Sequence, residues 1–120
     1  MEENFRSYEK AIEGLDSAFI GYAVKANNNM NVLRHLAQMG SGAVLVSSNE
    51  LKVALLAGFK PDKMVLNGNG KTVRDIQLAV QNGILVNIDS EFDLEHIIQA
   101  AKLESKKART MLRINPDIDP

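Results

Sequence analysis

Apolar positions along the chain alternate between two rhythms. Short, nearly continuous apolar runs occur at Ala18–Val24, Ala43–Val46, Lys63–Leu66, Ile84–Ile88 and Thr110–Ile114. Runs of this length and β-rich content predict strands buried on both faces. Between them the apolar residues recur at helical spacing. Val32, Leu33, Leu36 and Ala37 make one face, and Leu51, Ala54 and Leu55 the next. Val73, Ile76 and Val80, then Leu94, Ile97, Ile98 and Ala101, make two more. Each spacing predicts a helix with one buried stripe. An opening helix over Phe5–Leu15 precedes the first strand.

The boundaries of these elements carry their own signals. Ser47-Ser48-Asn49-Glu50, Thr72-Val73-Arg74-Asp75 and Ser90-Glu91-Phe92-Asp93 each set an acid three residues after a hydroxyl. That is the capping-box pattern at a helix start, or its Asp variant. Gly40, Gly58 and Gly83 follow helical runs, where a left-handed cap ends a helix. Strand starts lie about 20–26 residues apart, so the pattern is a βα repeat with no linker or internal boundary, one unit over residues 1–120. Such units with short connections form a parallel sheet, either open and doubly wound or closed into a barrel. About five strands could complete an open sheet, whereas an eight-stranded barrel takes about 250 residues, so this would be its first half or a little more.

The strands exit into Lys25-Ala26-Asn27, Ser47-Ser48-Asn49, Asn67-Gly68-Asn69-Gly70, Asp89-Ser90 and Arg113-Ile114-Asn115. In both architectures ligands bind beyond the carboxyl ends of the strands, but an open sheet concentrates its site at one switch point. Polar residues at all five exits favour the barrel.

Composition narrows the function classes. The chain has 14 basic and 15 acidic residues, a net charge of −1 and 45% hydrophobic residues. With no basic excess, nothing favours nucleic acid or an acidic membrane surface as partner. The absence of cysteine excludes a disulfide scaffold, a thiolate zinc site and a cysteine nucleophile. His35 and His96 are too few and too far apart for a histidine metal cage. No apolar run approaches the roughly 20 residues of a membrane span. The start, Met-Glu-Glu-Asn, has neither signal-peptide nor transit-peptide character. The expectation is a soluble intracellular protein without a metal.

Two apparent nucleotide motifs fail on context. Asn67-Gly68-Asn69-Gly70-Lys71-Thr72 ends like a P-loop, but Val65 occupies the position of its first glycine. Gly40-Ser41-Gly42 precedes a strand where a dinucleotide fingerprint must follow one. These glycines read as turns and a helix cap. Lys25 differs, because it closes the run Phe19–Val24 and is expected to project from a buried strand end. A lysine desolvated there can act as a Schiff-base nucleophile, or can simply snorkel to the sheet rim. Arg113, between Leu112 and Ile114, suits a carboxylate, a phosphate or a ring face, and equally a structural ion pair. Glu50 is explained by helix capping. His35 and His96 fall off the apolar stripes and read as exposed spectators. Met30, Met39, Met64 and Met111 read as core or partly buried filler.

The string Tyr22-Ala23-Val24-Lys25-Ala26-Asn27-Asn28-Asn29 resembles the lysine signature of the fold-type III pyridoxal-phosphate decarboxylases. Gly42–Ser47 with Glu50-Leu51, Asn67–Lys71, Asn87–Ser90 and Leu112–Pro116 follow in that family's order. The Asn-Gly-Asn-Gly-Lys and Leu-Arg-Ile-Asn-Pro-Asp strings are closest to its diaminopimelate decarboxylase members, the plant plastid branch in particular. The resemblance covers nearly the whole chain.

It implies the amino-terminal part of an alanine racemase-like pyridoxal-phosphate-binding (β/α)8 barrel, with the carboxyl-terminal β domain absent from these residues. Lys25 would hold pyridoxal 5'-phosphate as an internal aldimine, Ala23 would line the cofactor pocket, and Arg113 would lie near the ring. The substrate would be meso-diaminopimelate, converted to L-lysine and carbon dioxide by a parent homodimer, in the plastid stroma if the plant-type resemblance holds and otherwise in the cytoplasm. Val44 stands where many members carry Asp near the lysine; the plant branch shares the apolar residue. The family's ring-stacking histidine, glycine-rich phosphate loop and pyridine-pairing acid lie beyond Pro120, so the piece alone is expected to be inactive. The alternative is a stand-alone, non-catalytic homologue acting as a binding or regulatory protein.

Overall fold

A computed structural model of the chain describes residues 2–15 and 18–114. Asn115 and the Asn-Pro-Asp string, singled out in the sequence, lie outside the described residues. Within them are helices α1 (Glu2–Ala11), α2 (Met30–Gln38), α3 (Ser48–Ala57), α4 (Val73–Gln81) and α5 (Glu91–Glu104). The strands are β1 (Gly21–Ala23), β2 (Gly42–Leu45), β3 (Met64–Leu66), β4 (Leu85–Ile88) and β5 (Thr110–Leu112). Every neighbouring pair is parallel and the spatial order is β1-β2-β3-β4-β5.

That order decides between the two architectures. A doubly wound sheet reverses direction at a switch point and places helices on both faces. Here each strand is laid beside its predecessor without reversal. With right-handed crossovers, the helices after β1 to β4 then fall on the same face. This is the winding of a barrel, and the five strands form part of one.

Burial alternates accordingly. Ala43, Leu45, Met64, Leu66, Ile84 and Val86 are 0–1% exposed and join Leu33, Leu51, Ala54, Ile76, Ala79 and Ile97 in a single core. The opposite face carries Ala23, Val44, Val65 and Leu85, aligned across four strands by the register. All four are only half-buried. Gly42 begins β2 because nothing larger fits: a Cβ there would fall against the Lys63 carbonyl and the Phe19 ring.

The helix starts follow the sequence signals. Ser47, Thr72 and Ser90 cap α3, α4 and α5 by accepting from Glu50 N, Asp75 N and Asp93 N. Gly40, Gly58 and Gly83 take positive φ. The end of α5 carried no such signal, since Ser105 makes the left-handed turn there (φ 52°). Element lengths differ from expectation at several ends. The opening helix starts at Glu2, where Glu2 and Glu3 suit its first turn, and stops at Ala11 before Gly14. The first strand shrinks from Ala18–Val24 to Gly21–Ala23. It is an edge strand whose ladder with β2 ends at Ala23↔Val44. The fifth strand ends at Leu112 rather than Ile114, although Arg113 N still donates to Ile88 O (3.1 Å).

Candidate functional site

The carboxyl ends of the parallel strands define one end of the sheet, and Lys25 and Arg113 both stand there. Lys25 is not on the strand itself. It lies in a single 3-10 turn, Val24–Ala26, that follows β1 directly. The turn is pinned from below by Val24, which is fully buried. Asn27 N closes it on Val24 O (3.2 Å), and the Tyr22 hydroxyl donates to Asn27 O (3.3 Å). Asn27 Oδ1 accepts from Asn29 N, and Asn29 Oδ1 accepts from Asn31 N, so the asparagine run builds the passage into α2.

The turn corrects the expectation of a desolvated strand-end lysine: Lys25 is exposed. The cause is the position of β1 at the sheet edge, with no strand on its outer side among the described residues. None of the ion pairs among the described residues involves Lys25. Its side-chain nitrogen therefore has no ion-pair partner among the described residues, on a backbone held by the turn. Ala23, opposite Val44 in the register, does not share a strand face with Lys25, because the 3-10 turn breaks the alternation. It helps line an apolar groove of about 520 Å³ against α1, with Phe5, Tyr8, Ile20, Tyr22 and Leu36. Arg113 borders a separate hollow of about 240 Å³ with Ile88, Asp89 and Leu112, and Lys25 lines neither of the two.

The most ordered polar construction at this end escaped the sequence reading. Lys71, dismissed with the failed P-loop, has a side chain 0% exposed. Its Nζ donates to Gly68 O (2.7 Å), Asp89 Oδ2 (2.8 Å) and Asp93 Oδ2 (3.1 Å), which uses all three of its protons. Asp93 Oδ2 also accepts from Asp89 N (3.0 Å). The Lys71 hydrogen bond holds the Asp89 carboxyl below the usual carboxylate range, more than offsetting burial, with the charges of Lys71 and Arg113 adding to it. Asp89 Oδ1 is buried and has no hydrogen-bond partner. Arg113 Nη1 stands 3.6 Å from it, on a side chain that is 58% exposed. Lys71 after a glycine turn, with acids at Asp89 and Asp93 beside the next helix start, was the signal available in the sequence.

The neighbouring polar residues are structural. Asn87 Nδ2 donates to Asn67 Oδ1 (2.7 Å) across β4 and the end of β3. Glu50 accepts from Val46 N and the Ser47 hydroxyl, both at 3.4 Å, while its own backbone N–H donates to Ser47 Oγ at the start of α3. Asp75 spans two helix starts, with Oδ2 on Thr72 N (2.9 Å) and Oδ1 on Ser48 N (2.8 Å). Burial would push its carboxyl up, but these hydrogen bonds together hold it down. His35 and His96 are half-buried rather than fully exposed. His35 approaches Glu2 (3.8 Å), while His96 stacks on Phe92 and bonds Phe92 O. Met39 and Met64 are core and Met30 is half-buried, but Met111, on the last strand, is 43% exposed.

Comparison with known proteins agrees with this geometry. Residues 1–120 match the family model "Pyridoxal-dependent decarboxylase, pyridoxal binding domain". A probable chloroplastic diaminopimelate decarboxylase of Oryza sativa subsp. japonica is 59% identical over 117 residues, covering 98% of this chain and 24% of the rice protein. A diaminopimelate decarboxylase of Archaeoglobus fulgidus is 41% identical over 122 residues, covering 100% of this chain and 28% of its own. The crystal structure of Helicobacter pylori diaminopimelate decarboxylase complexed with L-lysine superposes with a TM-score of 0.92 at 39% identity, covering 98% of this chain and 30% of that one. The chain thus spans about a quarter of the length of the curated relatives it matches. Sequential parallel winding, a free lysine at the end of β1 and a family match over its whole length place this chain among the pyridoxal-dependent decarboxylases, in their pyridoxal-binding barrel domain.

Proposed function

We propose that these 120 residues are the amino-terminal part of the cofactor-binding barrel of a diaminopimelate decarboxylase, which converts meso-diaminopimelate to L-lysine and carbon dioxide. The observation that carries the reading is Lys25: an amine with no ion-pair partner, held by a closed turn at the carboxyl end of a parallel strand. The protein residues present fit pyridoxal phosphate. Lys25 supplies the covalent anchor, and the exposed guanidinium of Arg113 supplies positive charge at the same end of the sheet. When bound, pyridoxal phosphate supplies the electron sink that accepts the bonding pair released as carbon dioxide departs. Ala23 and Val44, register partners at the ends of β1 and β2, are small and apolar next to the lysine turn. The rice relative supports a plastid stroma for the parent, and a homodimeric parent enzyme completes the proposal.

A chimera tests it. This chain replaces the matching segment of the rice enzyme, and lysine release from meso-diaminopimelate is measured. Lysine production that disappears with Lys25→Ala is the expected result. A folded chimera that binds pyridoxal phosphate yet makes no lysine contradicts the substrate assignment.

A further inference from the structure

The cluster around Lys71 is incomplete in charge. One buried ammonium faces two buried carboxylates, those of Asp89 and Asp93. One negative charge is left over, and it has a definite address. Asp89 Oδ2 and Asp93 Oδ2 are both engaged by Lys71, whereas Asp89 Oδ1 is buried without a hydrogen bond. A buried carboxylate oxygen with no partner is costly, and such an atom calls for a specific occupant. Arg113 is the cation facing it, at 3.6 Å. This separation is within ion-pair range but beyond a hydrogen bond. Arg113 N is itself fixed by Ile88 O, one residue before Asp89, so the two side chains leave adjacent strand ends in register.

We propose that Asp89 is a positioning residue for Arg113, with Lys71 as the buried counter-charge that fixes the orientation of the Asp89 carboxylate. Lys71 and the backbone amide of Asp89, through Asp93, leave the carboxylate one free oxygen, and that oxygen faces the Arg113 guanidinium. A guanidinium has five donors in a rigid fork. Engaging one edge on Asp89 leaves the other donors free in a set direction at the exposed strand-end surface. The arrangement also neutralises the cluster, so that Arg113 completes it rather than adding an isolated charge. Its use in cofactor binding rests on the function proposed above, but the positioning itself does not.

The test uses the full chain labelled with ¹⁵N-arginine, the Arg113 Nε–H signal being assigned by its loss in Arg113→Gln. Solvent exchange of that proton is expected to rise about tenfold in Asp89→Asn, the change produced by losing about 1.4 kcal/mol of interaction. Asp62→Asn, at an exposed acid far along the chain, leaves it unchanged. Should Asp89→Asn fail to fold, the converse reading serves. Arg113→Gln alters only an exposed side chain and is expected to raise the acid midpoint of the Asp89 carboxyl carbon. The same samples are titrated with pyridoxal phosphate and reduced with borohydride. The half-saturating concentration for labelling Lys25 is expected to rise about three- to tenfold in Asp89→Asn and in Arg113→Gln, and no further in the double variant. Unchanged Arg113 exchange in folded Asp89→Asn, or an unmoved Asp89 midpoint in Arg113→Gln, overturns the positioning role. Asp89-dependent Arg113 exchange without any Lys25 labelling upholds the positioning and instead refutes the cofactor site.

Discussion

Lys71 has no solvent-exposed side-chain surface, and its ammonium is held by two carboxylates and a carbonyl. Removing one partner of a buried pair leaves the others uncompensated, which costs about 3–5 kcal/mol. Lys71→Met is therefore expected to lower the free energy of unfolding in urea by that amount; a loss below about 1 kcal/mol contradicts the buried cluster. Acid acts on the same residues. Asp89 and Asp75 have carboxyls held below the ordinary Asp value of about 3.9. A depressed folded value means the native state holds its charged form more strongly than the unfolded chain does. Their contribution is therefore complete above about pH 4 and is lost as pH falls through the lowered values. The thermal midpoint is expected to decline below about pH 4, less steeply in Asp75→Asn than in wild type. Equal acid sensitivity in both proteins contradicts the assignment for Asp75. At this scale the sequence named Lys25 and Arg113 but not their surroundings. Lys71 is brought to Asp89 and Asp93, 18 and 22 residues further on, a contact that no local spacing encodes.

At the scale of elements, the helix starts are where sequence and structure agree most closely, because a cap is a local hydrogen bond between residues three apart. Thr72→Ala removes one such bond and is expected to cost about 1 kcal/mol. Asp75→Ala frees both Thr72 N and Ser48 N, at the starts of α4 and α3, and is expected to cost about 2 kcal/mol. Denaturant unfolding of the two variants distinguishes them, and equal losses mean that the link between the helices contributes nothing. Strand ends were less legible. Strand termination depends on pairing partners, and β1, an edge strand, stops at Ala23 so that the lysine falls on a 3-10 turn. The same edge effect leaves Met111, Leu112 and Ile114 exposed, although their pattern in the sequence is that of a buried strand.

For the molecule as a whole, the alternation of strand and helix was readable, and the barrel that the polar strand exits favoured and the family resemblance implied is borne out by the strand order. Among the described residues the sheet ends at β1 and β5, each with a neighbour on one side only. The row Ala23, Val44, Val65 and Leu85 is half-buried on the face opposite the core. At roughly 25 cal/mol per Å², leaving a few hundred Å² of such surface uncovered forgoes several kcal/mol, comparable to the stability of about 5–15 kcal/mol typical of a domain. Unpaired edges also template association. The 120-residue chain by itself is thus expected to associate with rising concentration in sedimentation velocity. A sedimentation coefficient that stays at the monomer value across the concentration range contradicts this expectation. The chain by itself is further expected to release no lysine from meso-diaminopimelate above a Lys25→Ala control. Whether Lys25 is the covalent anchor of the cofactor site is decided by borohydride reduction of the chain with pyridoxal phosphate, followed by peptide mass mapping. Labelling is expected at Lys25 in preference to exposed lysines such as Lys52, Lys60 and Lys102; labelling spread evenly among them, and undiminished in Lys25→Ala, shows that Lys25 is not the anchor.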